Sequence, residues 1–391
     1  MHSGSERFQL SAAYFLYFIT LGLFGPYFPV YLRERGLSGV QIGWVLALSP
    51  VLKIFVPPIL GALADRARGP RFWGMVTAWA ALSSLALVVT LSGNSWALIF
   101  SIACYCAATA PVMALLDSAT LHFLQRTQQG RFGYVRLWGS LGFVLSSCGL
   151  GLLYTDLPAQ IIAASLIGAH LVFALFITGA RIEDAPLGIS NLFTQYRLIA
   201  SLLRNPVAWL LLSTIFLNRV ASSPYSVFYT VFLQDIGLGG DVVALTWGLA
   251  VGVEVVTMLF VDRLIDRLGA GRVLALGVGL EAVRWLALST LHTKTALLLI
   301  APWHGLAFGL LYVASVREMT RIAPRELRTL GQGLAAAAAG GGQVIGFIGS
   351  GYLFQRLGGG GLFLAAALVG LRRTNERARA RILEKEGDCL A

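Results

Sequence analysis

The stretch Gly61-Ala62-Leu63-Ala64-Asp65-Arg66-Ala67-Arg68-Gly69-Pro70-Arg71 sets a charge-dense turn between two long apolar runs, and it recurs between Asp262 and Arg272. Asp65 corresponds to Asp266, Leu63 to Leu264, Arg66 to Arg267 and Arg71 to Arg272, each displaced by the same 201 positions. One offset shared by four positions marks a duplicated half, and a repeat of that size decides the architecture before any helix is assigned. Two equivalent bundles are expected.

Composition says what kind of bundles they are. Of 391 residues, 57% are hydrophobic and only 13% charged, with a mean hydropathy of +0.73. A water-soluble globule of this size does not carry that balance, so the chain reads as a polytopic membrane protein. The formal charge of +11 could suggest a nucleic-acid partner. The basic residues instead cluster between apolar segments, as topological signals do, with anionic lipid headgroups as their neighbours and no nucleic acid. Four scattered cysteines make no disulfide framework, and Cys104 and Cys106, two apart on a helix, point to different sides. The first apolar run lacks a signal-peptide pattern and is long enough to span, so it is expected to remain as the first helix.

A hydrocarbon core of about 30 Å needs roughly 20 apolar residues per helix. That ruler gives helices near 8–31, 40–64, 72–92, 95–122, 134–155 and 159–180, then 206–233, 242–262, 272–292, 295–318, 329–353 and 358–371. The expected fold is an all-α membrane protein of twelve transmembrane helices in two pseudo-symmetric six-helix bundles. Residues 1–180 form the first bundle, 181–205 a connector, 206–371 the second bundle and 372–391 a basic tail. The last helix is short, 357–371 beginning among glycines, which suggests tilt or truncation. Alternate loops and the tail hold 23 Lys and Arg, whereas the opposite side holds only Arg33, Arg35, Lys294 and Arg356. This bias predicts both termini in the cytoplasm.

Twelve helices with Gly61-x-Leu63-x-Asp65-Arg66 and Gly69-x-Arg71 after helix 2, and a degenerate copy after helix 8, resemble the major facilitator superfamily over nearly the whole chain. Shorter motifs resemble the branch of phenylpropionic acid permeases, nucleoside-proton symporters and lactose permease. They are Gly36-Leu37-Ser38 with Gln41-Ile42-Gly43, Arg136-Leu137-Trp138-Gly139-Ser140-Leu141-Gly142-Phe143, and His304-Gly305-Leu306-Ala307-Phe308-Gly309. The resemblance implies two bundles that rock around a mid-membrane cavity in a bacterial inner membrane, exposing a solute to one side at a time.

An ionisable side chain near the bilayer centre costs about 2.5–3.5 kcal/mol on insertion scales, so each should face a cavity or a partner. Lys53, His170, Arg219, Glu254, Glu281, Arg284 and His304 all fall near segment midpoints. Glu281 and Arg284, three apart, can share a helical face and neutralise each other. Glu254 has no close partner in its own helix and needs Arg284, Lys53 or Arg219 from another. A carboxyl desolvated there can take up and release a proton as its surroundings change. His304 could be a core histidine beside the Pro302 kink, and His170 reads as a helix-packing hydrogen bonder. The resemblance implies more for His304: in lactose permease a glutamate on helix 8, an arginine on helix 9 and a histidine on helix 10 couple the proton. Glu254, Arg284 and His304 fit that pattern, with Glu281 nearby. A second carboxylate one turn after the histidine is missing, since that position is Ala307.

In related permeases an acid on helix 4 and an arginine on helix 5 bind substrate, which the resemblance carries to Asp117 and Arg136; a gate pair fits them nearly as well. Lys53 and Arg219 complete the charged candidates, and Trp138 and Tyr27 the aromatic ones, although such aromatics more often serve packing. Lys53, Arg219 and Arg284 outnumber Glu254 and Glu281 by one, a balance that suits a monoanionic solute. Gly61, Asp65, Arg66, Arg71, Asp266 and Arg267 are expected to latch the cytoplasmic face. Glycines of helices 5, 8 and 11 permit close contact and are expected where the halves slide apart.

The leading function is a proton-coupled symporter of a small organic acid of the phenylpropionate type, with protons and a small-molecule substrate as partners and the chain acting as a monomer. The alternatives are a symporter of a neutral nucleoside or sugar, or an exporter of the same fold. An intramembrane enzyme would want a metal or nucleophile constellation such as H-E-x-x-H, and no such motif occurs. No cofactor or metal is expected. A transport-dead scaffold has no reason to bear the midplane charges.

Overall fold

The computed structural model describes residues 3–66, 69–128, 132–182, 204–323 and 328–388, with side chains described except at 3, 61, 62, 64–66, 69, 70, 328, 329 and 371–388. Every element in them is a helix: α1 (Ser3–Glu34), α2 (Gly39–Arg66), α3 (Gly69–Thr90), α4 (Ser95–Thr109), α5 (Val112–Thr127), α6 (Phe132–Leu153), α7 (Ala159–Gly179), α8 (Pro206–Asp235), α9 (Gly240–Leu268), α10 (Ala270–Thr290), α11 (Lys294–Ile322) and α12 (Arg328–Asp388). Inside hydrocarbon only a helix satisfies its own backbone groups, which is why so apolar a chain adopts nothing else.

Three expected segments take a different form. The fourth is broken at Ala110 and Pro111, because proline donates no N–H to continue the ladder, and α5 then runs on to Thr127. The eleventh and twelfth follow one another without a loop, within the range given as α12, and are two helices that meet at a kink at Gly358 with φ 65°. That backbone conformation is readily open to glycine. The helix then continues through the expected tail to Asp388 instead of stopping at 371.

Ten helical stretches among the described residues are long and apolar enough to cross a membrane, rather than twelve. One is Leu330–Gly370, whose 41 residues hold the two helices that meet at the Gly358 kink and are counted together. The other difference is α8, long enough at 30 residues but interrupted by the polar run Asn218, Arg219, Ser222 and Ser223.

The chain divides into two compact units. The first holds residues 1–192 with 233–244, and the second holds 193–232 with 245–391. In the first, α1 packs most extensively on α6 and also on α7, while α3 packs on α4 and α7. Its core joins Leu10, Tyr14, Tyr17, Val112, Leu116, Phe123 and Phe173. Glu6 pairs with Arg126, and Glu34 accepts the Ala159 N–H at 2.7 Å, capping α7 where Pro158 offers no side-chain cap. In the second unit α10 lies against α11 and α12, around Leu211, Val261, Val273, Leu311 and Met319.

The duplication is visible in backbone contacts. A Cβ at Gly142 of α6 would strike the carbonyl oxygen of Phe15 in α1, and one at Gly342 of α12 would strike that of Phe216 in α8. Phe216 lies 201 positions after Phe15, the offset of the repeat. These glycines therefore serve helix packing inside each unit, a correction to their expected place on a sliding surface.

Candidate functional site

The second unit gathers its charges where α8, α9, α10 and α11 approach one another. Gly305 brings α11 so close to α9 that a Cβ there would strike the Ala250 carbonyl oxygen and the Glu254 amide nitrogen. Gly309, one turn on, packs against Thr257 and the Glu254 carbonyl. His304 and Glu254 thus sit at one helix crossing. Glu254 and Glu281 both lie within electrostatic reach of Arg219 on α8.

Glu281 and Arg284, expected to share one face of α10, lie within electrostatic reach of each other. Glu281 is buried and accepts a hydrogen bond from Asn218 Nδ2 of α8. Arg284 is also buried and turns its guanidinium onto aromatic rings, 4.2 Å from the Tyr225 centroid and 4.4 Å from that of Trp285. Tyr225 is the hub of this packing, with the rings of His304 and Tyr229 at 4.5 Å and that of Trp247 at 4.8 Å. A stacked guanidinium keeps its charge while the rings replace part of its hydration.

Arg219 faces a different setting. Its guanidinium lies 5.3 Å from the Phe308 centroid and lines a cavity of about 310 Å³ bounded also by Asn218, Phe308, Tyr312, Ser315 and Gln332. Phe308 and Tyr312 stack nearly parallel, and His304 precedes them by one turn, so α11 presents an aromatic ladder toward this cavity. A cation, an amide, hydroxyls and aromatic faces around one small volume can orient a solute with one anionic end.

In the first unit Tyr14 donates its hydroxyl to Asp117 Oδ1 at 2.5 Å. Arg136 lies over the Tyr14 and Phe18 rings, at 5.6 and 4.2 Å, so Asp117 and Arg136 meet through Tyr14. Trp138 is 49% exposed and packs edge-on against Phe15. Tyr27 is fully buried and donates to the Ser147 carbonyl, which gives it a packing role between α1 and α6. Lys53 is exposed midway along α2, within electrostatic reach of buried Cys106 on α4. Glu254 lies 201 positions after Lys53, so equivalent places in the two units carry opposite charges. His170 is the packing hydrogen bonder expected: Nδ1 donates to the Leu166 carbonyl at 3.0 Å, which leaves Nε2 to accept from Tyr105 at 3.3 Å.

The gate candidates fare unequally. The side chains of Gly61, Asp65 and Arg66 lie outside the described residues. Arg71 is exposed at the start of α3 and lines a small cavity of about 50 Å³. Asp266 pairs with Arg317 of α11, which also reaches Asp262 at 3.4 Å. Arg267 is exposed.

Sequence reasoning missed Asn218 and the role of Tyr14, because its search for midplane polar groups followed charged residues and histidines and left amides and hydroxyls aside. An asparagine directly before a mid-helix arginine was the available signal, since an amide at that depth needs a partner.

Comparison with known proteins agrees with this architecture. Residues 7–365 match the model of the MFS_1 like family. The chain is 28% identical to the maltose permease of Geobacillus stearothermophilus over 90% of this chain and 88% of that protein. It is also 28% identical to the probable 3-phenylpropionic acid transporter of Escherichia coli, over 93% and 94% of the two chains. Among solved structures, the nucleoside transporter NupG superposes with a TM-score of 0.84 at 17% identity, covering 96% of this chain and 98% of that one. The chain therefore belongs to the MFS_1 like family and is a multi-pass membrane transporter of small molecules, not an enzyme.

Proposed function

We propose that the protein is a proton-coupled symporter that imports a small organic acid by alternating access. The observation that carries this reading is Arg219, a guanidinium lining a cavity of about 310 Å³ over the face of Phe308, with Glu281 and Glu254 in electrostatic reach. The cation orients the acid's carboxylate and the aromatic ladder receives its apolar body. Glu254 exchanges the proton, with Arg284, His304 and Glu281 setting its surroundings. Linkage then makes proton and anion bind together: neutralising one glutamate leaves a guanidinium short of a counter-charge, which the substrate supplies. Asp117, Arg136 and Lys53 form the first unit's contribution to substrate handling. The protein resides in a bacterial inner membrane with both termini cytoplasmic, and the Asp65–Arg71 turn with its copy at Asp266 and Arg267 latches the cytoplasmic side.

A second reading, symport of a neutral sugar, is favoured by the maltose permease likeness, equal in identity to the acid transporter's. Uptake of labelled 3-phenylpropionate and maltose into proteoliposomes separates the two. The acid reading expects pH-gradient-driven uptake of 3-phenylpropionate that Arg219→Ala weakens more than any uptake of maltose. Maltose uptake alone overturns it.

A further inference from the structure

The aromatic packing of the second unit strands a set of hydrogen-bond donors. Arg284 is 1% exposed and Trp285 fully buried, neighbours on α10. The faces of the guanidinium are covered by rings, yet its Nε and Nη1 have no hydrogen-bond partner among the described residues, and neither does Trp285 Nε1. His304 Nδ1 is also without a partner, in a ring 4.5 Å from that of Tyr225. The Tyr225 hydroxyl is close to the guanidinium but makes no well-formed hydrogen bond with it.

Arginine and tryptophan N–H groups only donate. A buried donor left unmade costs about 1–3 kcal/mol, and more when charged, so several around one ring call for a common acceptor. Glu281, one turn earlier on α10, accepts from Asn218 and acts on Arg284 as a counter-charge, and the edge donors of the guanidinium are still without a hydrogen-bond partner among the described residues. The charged groups acting on His304 are Arg284 and Arg219, both positive. What the stranded N–H groups want is an acceptor.

We propose that Arg284 and Trp285, with His304 beside them, form a buried subsite for a monovalent anion, separate from the cavity at Arg219. Stacking between Tyr225 and Trp285 fixes the plane of the guanidinium, so its edge N–H groups are presented at little cost in rotamer freedom. The occupant is the carboxylate of a transported acid or a small inorganic anion such as chloride. Only the first of these rests on the proposed transport of an acid.

The test titrates purified protein with sodium chloride against sodium gluconate at constant ionic strength, reading melting temperature and tryptophan fluorescence. Chloride is expected to raise the melting temperature saturably, and gluconate, too large for a packed site, is not. Trp285→Phe keeps the ring and removes one donor, so chloride should bind roughly tenfold more weakly. Arg284→Gln should abolish the response, and Trp209→Phe, at an exposed ring on α8, should leave it intact. Identical responses to the two salts, or chloride affinity unchanged in both Trp285→Phe and Arg284→Gln, overturns the subsite; should Arg284→Gln fail to fold, Trp285→Phe decides alone. Proteoliposome uptake of 3-phenylpropionate then identifies the occupant: chloride that raises the apparent KM competes with a carboxylate, and chloride that raises kcat is a resident ion. Saturable chloride binding with no uptake of the acid refutes the acid reading and leaves the subsite standing.

Discussion

Asn218 of α8 donates its side-chain amide to Glu281 of α10, and this bond ties the helix that carries Arg219 to the helix that carries Arg284. It reaches a carboxylate that is buried, 5% exposed. Asn218→Ala is expected to destabilise the protein by about 1–3 kcal/mol and to reduce uptake at least tenfold. Thermal unfolding and initial uptake rates measure both. An unchanged melting temperature would show that the amide is dispensable.

The close approach of α9 and α11 is equally testable. Gly305 has no room for a side chain against the Ala250 and Glu254 backbone, whereas a Cβ added at Gly252 would meet nothing within 4 Å. Gly305→Ala should cost at least about 1–3 kcal/mol, since backbone cannot yield as a side-chain end can. Gly252→Ala should be tolerated. Melting temperatures of the two variants, compared side by side, check the contrast.

In the first unit, Tyr14→Phe removes the donor to Asp117 while keeping the ring beneath Arg136. A hydrogen bond to a charged group contributes about 1.5–3 kcal/mol, so a clear fall in melting temperature is expected. If Asp117 handles substrate, uptake should fall with it, and Asp117→Asn in the Tyr14→Phe background should add little further loss.

Phe308→Leu keeps apolar volume and loses the quadrupole under Arg219. Cation–π contacts are worth about 0.5–2 kcal/mol, so the affinity for 3-phenylpropionate should drop between roughly twofold and thirtyfold. Calorimetric titration of the purified variant measures it.

Much of this was legible in the chain. The 201-residue offset between Asp65 and Asp266 extends to Phe15 and Phe216, whose carbonyls meet corresponding glycines of α6 and α12. The charges at Arg219, Glu254, Glu281, Arg284 and His304 were legible too, because each is costly at that depth and stands out from its apolar surroundings. Their pairing was not. Helical spacing set Glu281 beside Arg284, but spacing says nothing of neighbours across a helix crossing, and neither the hydrogen bond from Asn218 nor the rings around Arg284 could be read from it. The break before α5 was readable from Pro111. The continuation of α12 beyond 371 was not, because hydropathy marks where a helix leaves the membrane and not where it ends.

The most direct test of proton coupling is accumulation of labelled 3-phenylpropionate in proteoliposomes under an inside-alkaline pH gradient, with and without Glu254→Gln. The wild type should accumulate the acid and lose accumulation when an ionophore collapses the gradient, while Glu254→Gln should fail to accumulate yet still exchange the acid in counterflow. Accumulation by the wild type that survives collapse of the gradient, or by Glu254→Gln that equals the wild type, would contradict proton coupling through Glu254.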